Sequence, residues 1–172
     1  LKTIVSYTTR PMREGEKDGE EYHFVSREKL EDLRKQGKVI ECRDYATVHG
    51  IWSYFMVDDG QIDFSGKRDS VIIGTLESYV QIRDFFGAEH VVPIYIDVED
   101  GLRLSRALER ERKQAQPKYA ELCRRFLADT ADFSQEKRKA CGIHQIYENI
   151  DIETCLNRIR TDIVKMRENV LY

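Results

Sequence analysis

Two continuous apolar runs, Val71–Ile73 and Val91–Ile96, are each followed within a few residues by a segment of helical periodicity. No other feature constrains the fold as much. A run without polar alternation expects cover on both faces, as a strand in a parallel sheet has and a half-solvated hairpin does not. After the first run Leu76, Tyr79, Val80, Ile82 and Phe86 recur at helical spacing, and after the second a helix is predicted over Glu99–Arg112. Beyond Pro117 a long helix is predicted from Lys118 to about Lys139, then a short strand at His144–Tyr147 and a closing helix at Ile152–Val170. Strands and helices alternating in this way predict an α/β fold with a parallel sheet flanked by helices.

Ahead of Ser70 the pattern differs. Lys2–Ser6 and Tyr22–Val25 have strand character, and Ser26 stands where an N-cap would open a helix over 27–36 that Gly37 closes. Leu30 and Leu33 mark its buried side. Val39–Tyr45 and Ile51–Val57 are rich in β-branched and aromatic residues and predict a small β layer, with a tight turn at Asp58-Asp59-Gly60.

Composition narrows the function classes. At 172 residues the chain fits one domain, and a net charge of -3 argues against a nucleic-acid binder, which rests on an excess of Lys and Arg. No stretch approaches the ~18 consecutive apolar residues of a membrane span, and Leu1 opens no signal-peptide pattern, so no membrane partner is expected and the cytoplasm is the expected location. Cys42, Cys123, Cys141 and Cys155 lie far apart and read as reduced thiols. His23, His90 and His144 lack partners at ligand spacing, and no metal motif is present.

Residues 6–24, SYTTRPMREGEKDGEEYHF, carry the chemistry. Arg10 and Arg13 are two guanidinium forks on one loop, and each fork matches a phosphate through paired charge-assisted hydrogen bonds. Tyr22 and Ser6 add hydroxyls, and Gly15 and Gly19 let the loop turn sharply. The competing reading is a charged surface loop in which the arginines pair with Glu14, Glu16, Glu20 or Glu21.

The ordered pattern S-x-T-T-R-x-x-R-x-G-E-x-x-G-x-x-Y-x-F resembles the GMP-binding segment of guanylate kinases. The resemblance implies a P-loop kinase-type parallel sheet flanked by helices, with a small mixed β GMP-binding subdomain over about 6–69 and a helical lid over about 99–139. About 70–98 and 140–172 would form the core of a single domain. Ser6, Arg10, Arg13 and Tyr22 would hold the GMP phosphate, and Glu41 would face the base, whose adjacent N1–H and N2–H donors suit a carboxylate. His49 would complete the pocket, with Thr75 or Glu77 in the place of the family's aspartate pair. Val48-His49-Gly50-Ile51 and Gly74-Thr75-Leu76-Glu77 depart from the family's usual residues there.

Arg103, Arg106, Arg110, Arg112 and Lys113 crowd one helix. By resemblance Arg106 and Arg110, four apart, and Arg124 or Arg125 would be catalytic lid arginines stabilising charge on a moving phosphoryl group, and Asn149 would contact the adenine of ATP. The plain alternative is a solvated helical face paired with Glu109, Glu111 and Glu121. Two functions are expected from different classes: transfer of the ATP γ-phosphoryl group to GMP with Mg²⁺, or an inactive binding module holding GMP or a phosphorylated peptide. The phosphate loop G-x-x-x-x-G-K-[ST] that separates them is absent from these 172 residues, and the expectation is that it lies upstream of Leu1 in a longer protein.

Overall fold

The computed structural model describes residues 1–47, 50–65 and 69–170, with the backbone alone for 169–170. The chain forms two compact units, Leu1–Val91 and Val92–Tyr172.

In the first unit the strands are β1 (Lys2–Thr3), β2 (Tyr7–Thr8), β3 (His23–Phe24), β4 (Val39–Thr47), β5 (Gly50–Val57) and β6 (Ser70–Val71), with helices α1 (Arg27–Lys35) and α2 (Leu76–Phe86). Four strands make a mixed sheet in the order β3-β2-β5-β4. Its β2–β3 pair is parallel, so the loop between Thr8 and His23 must cross back to the end of the sheet at which β2 begins. β4 and β5 are antiparallel, with one irregularity between Val39 and Glu41. Alternation along β5 assigns its side chains to two helices. Phe55 and Val57 pack with Leu30 and Leu33 of α1, while Met56, on the opposite face, packs with Ile40, Ile4 and Ile82 of α2. Each such burial is worth roughly 1.5–3 kcal/mol, so both faces of this hairpin are anchored.

α1 begins where Ser26 Oγ accepts from Lys29 N at 3.2 Å, and it ends ahead of Gly37, whose φ of 68° is left-handed. α2 begins in a capping box: Thr75 Oγ1 accepts from Ser78 N while Ser78 Oγ accepts from Thr75 N. β6 pairs in parallel with β1. The strand expected over Val71–Ile73 reaches only Val71, and Ile73 is 95% exposed, because its ladder runs no further than the two residues of β1.

In the second unit β7 (Ile96–Asp97) and β8 (Tyr147–Glu148) form a parallel pair, accompanied by α3 (Asp100–Arg112), α4 (Tyr119–Asp132), α5 (Gln135–Ala140) and α6 (Ile152–Val170). Tyr147, Cys155 and Ile159 form its core, with Ile94 and Ile163 against them. Two expectations are corrected. The run from Val91 pairs as a strand only at Ile96–Asp97, opposite a two-residue β8. The helix expected over 118–139 is two helices, because Ser134 takes an extended conformation (ψ 154°) and its hydroxyl caps α5 by accepting from Lys137 N. Among the described residues no helix is long and apolar enough to cross a membrane.

Candidate functional site

The segment Thr8-Thr9-Arg10 is stitched to β5 by both threonines. Thr8 Oγ1 donates to Ser53 O at 3.0 Å, Thr9 Oγ1 accepts from Ser53 N at 2.9 Å, and Arg10 N in turn donates to Thr8 Oγ1. The start of the arginine loop is thereby fixed to the sheet. Its far end is fixed by Asp18, whose Oδ1 accepts from Phe24 N at 2.7 Å, and by Gly19 N donating to Tyr22 O. Gly19 has φ 81°, a conformation that favours glycine.

Arg10 is buried, at 4% exposure, with its guanidinium over the rings of Tyr22 (5.3 Å) and Phe24 (5.2 Å). It makes a bidentate pair with Glu16: Nη1 to Oε2 at 2.7 Å and Nη2 to Oε1 at 2.5 Å. Glu16 also accepts from Arg13 N at 2.8 Å. The hydrogen bond from Arg10, reinforced by that from the Arg13 amide, holds the Glu16 carboxyl down at about 2. Arg13 itself is exposed, and its side chain donates no hydrogen bond among the described residues. The two arginines therefore differ: Arg10 is sandwiched and paired, and Arg13 projects from the loop. Ser6 accepts through its carbonyl from His23 N, and Tyr22 meets Tyr54 edge-on at 5.6 Å.

A folded-state carboxyl held below its unfolded value contributes stability that is complete above the unfolded pKa of about 4.3 and lost as pH falls through the folded value. The urea midpoint should therefore fall between about pH 4.5 and 2, with a smaller drop in Glu16→Gln. Equal acid sensitivity in the two proteins would remove Glu16 from this role.

On β4, Glu41 is 2% exposed. Its Oε2 accepts from Arg43 Nε at 3.2 Å, and Arg43 Nη1 reaches Thr75 Oγ1 at 3.5 Å. Burial pushes the Glu41 carboxyl up, Arg43 opposes that shift, and the charge of Glu77 adds to it. Thr75 thus has a structural task, as the cap of α2, beside any contact with a ligand. His49 lies outside the described residues.

In the second unit Arg106 donates to two carbonyls, Asn149 O at 2.9 Å and Ile150 O at 2.7 Å. These residues, with Asp151 and Ile152, line a cavity of about 390 Å³. Asn149 N donates to Asp97 O, which ties the segment after β8 to β7, while its Oδ1 is buried without a partner among the described residues. Arg110 is exposed one turn further along α3. Arg124 and Arg125 are exposed on α4 and both hydrogen-bond to Glu121, as on a solvated helical face; their donors hold the Glu121 carboxyl at about 2.

Residues 1–51 match the family model described as guanylate kinase. The guanylate kinase of Vibrio vulnificus (strain YJ016) is 41% identical over 80 residues, covering 40% of this chain and 37% of that protein. That of Neisseria meningitidis serogroup A is 52% identical over 84 residues, covering 49% of this chain and 40% of that protein. The crystal structure of guanylate kinase from Anaplasma phagocytophilum superposes with a TM-score of 0.59 at 25% identity, covering 97% of this chain and 74% of that one. Over residues 1–51 the chain is similar to guanylate kinases, and its fold is like that of the Anaplasma phagocytophilum enzyme. The matched stretches thus span well under half of the length of these two curated guanylate kinases.

Two residues at the guanylate kinase-like site escaped the sequence reading. Arg43 is one, although the strand period puts it on the same side of β4 as Glu41 and could have flagged it. Tyr54 is the other. It stands opposite Arg43 in the β4–β5 register and against Tyr22, a placement that no local pattern encodes.

Proposed function

We propose that the Leu1–Val91 unit binds GMP and that the protein serves as a guanylate kinase, accepting the γ-phosphoryl group of ATP on the GMP phosphate. The observation that carries this reading is the buried Glu41 carboxylate, which sits on β4 within the same 1–51 stretch that matches the family. A carboxylate offers about four acceptor positions, and Arg43 takes one of them. The remaining capacity suits the N1–H and N2–H donors of guanine, whereas adenine presents an acceptor at N1. The phosphate would be met by Arg13 and by donors of Arg10, with Tyr22 and Ser6 beside them. Thr75 and His49 are the further pocket residues proposed.

For the donor nucleotide, the buried Asn149 Oδ1, without a partner among the described residues, supports adenine recognition, since an amide oxygen accepts from the adenine 6-amino group. Bound ATP would bring Mg²⁺ on its phosphates, which neutralises charge as the phosphoryl group moves. Arg106, Arg110 and Arg124 or Arg125 are proposed to supplement that neutralisation. Arg106 would have to exchange its carbonyl partners for phosphate to do so. The second reading, a module that holds GMP or a phosphorylated peptide without turnover, draws on the pairing of Arg124 and Arg125 with Glu121.

Isothermal calorimetry tests the base assignment. GMP should bind more tightly than AMP by roughly 5- to 150-fold, the range of a single base-edge contact, and Glu41→Gln should narrow that gap. Equal affinity for the two nucleotides in the unmutated protein would refute guanine recognition.

A further inference from the structure

Past the irregularity between Val39 and Glu41 the β4–β5 register is regular, so Glu41 and Arg43, two apart, leave the same face of the strand. Arg43 bonds Glu41 on its own strand and Thr75 at the cap of α2, so two elements fix the plane of its guanidinium. The side chain is nevertheless 16% exposed, against 1% for Glu41. Its two contacts engage Nε–H and an Nη1–H, and arginine carries five donors. The Nη2 donors lie outside both contacts. A carboxylate beside a guanidinium presents an acceptor next to donors. The guanine edge carries the complement, N1–H and N2–H donors next to the O6 acceptor. Adenine has an amine where guanine has O6, which would turn a donor towards the donors of Arg43.

We propose that Arg43 is a specificity-determining residue that donates to O6 of guanine while Glu41 accepts from N1–H and N2–H. This rests on the GMP reading given above. Glu41 alone distinguishes the N1 and N2 positions, and the pair reads the third position of the edge as well.

The probe is 6-thioguanosine 5′-monophosphate, which keeps N1–H and N2–H and replaces O6 by sulfur, a poorer acceptor. Affinities for GMP, the 6-thio analogue and AMP are measured in the unmutated protein and in Arg43→Met. The unmutated protein should prefer GMP to the thio analogue. Arg43→Met should weaken GMP roughly 10- to 100-fold, weaken the analogue much less, and bring their ratio close to one. A GMP-to-analogue ratio that Arg43→Met leaves intact overturns the proposal alone, because a purely structural arginine lowers both affinities together. Absence of any GMP preference over AMP in the unmutated protein overturns the guanine reading and the proposal with it. Should Arg43→Met fail to fold, Arg43→Gln decides by the same ratio, since its amide can still donate to Glu41 but is too short to reach O6.

Discussion

Arg13→Ala should weaken GMP by roughly 10- to 100-fold, the loss of one or two charged hydrogen bonds, while guanosine affinity and melting temperature stay unchanged. The reason is placement: Arg13 is exposed and its side chain donates no hydrogen bond among the described residues, so its removal costs the fold little and the phosphate a fork. Arg10→Ala should behave differently. Arg10 is buried beneath Tyr22 and Phe24 and paired at both Nη atoms with Glu16, so its loss should lower GMP affinity and melting temperature together. Calorimetry with GMP and guanosine, beside thermal denaturation, separates the two arginines. If Arg13→Ala weakens GMP and guanosine alike, the loop does not grip phosphate. Arg13→Lys should also weaken GMP, because an ammonium cannot present two parallel donors.

Phe55→Ala should cost about 3–5 kcal/mol, a large part of the ~5–15 kcal/mol by which domains are stable. Phe55 has no exposed surface, packs with Leu30, Leu33 and Val57, and stacks on Tyr7 at 5.4 Å. It also lies opposite Tyr7 and Cys42 in the sheet, so the cavity would sit between α1 and the strands that lead into Arg10 and carry Glu41. Denaturant unfolding followed by circular dichroism gives the value. Phe55→Leu, which keeps most of the volume, should lose less. A cost under 1 kcal/mol for Phe55→Ala would mean that α1 does not anchor this sheet.

Local elements were readable where the controlling interactions are local. The cap Ser26 acts within three residues, and helices α2, α3 and α6 follow the apolar period in the chain. Strands were readable as candidates only. Val71–Ile73 and Val91–Ile96 have the composition of buried strands, but a ladder extends only where a neighbour supplies partners, and here each pairs over two residues. The break at Ser134 was missed because serine caps one helix as readily as it sits inside another, and the choice depends on its ψ.

The candidate site divides the same way. By itself the sequence determined which chemical groups are available: the order of Ser6, Arg10, Arg13, Tyr22 and Glu41, with glycines where the loop must turn, because residue identity and spacing are covalent facts. Only the tertiary structure decided which of these groups are committed to one another. Burial and strand register, which depend on residues dozens of positions away, enclosed Arg10 and paired it with Glu16, left Arg13 exposed, buried Glu41 beside Arg43, and turned Arg106 onto the carbonyls of Asn149 and Ile150.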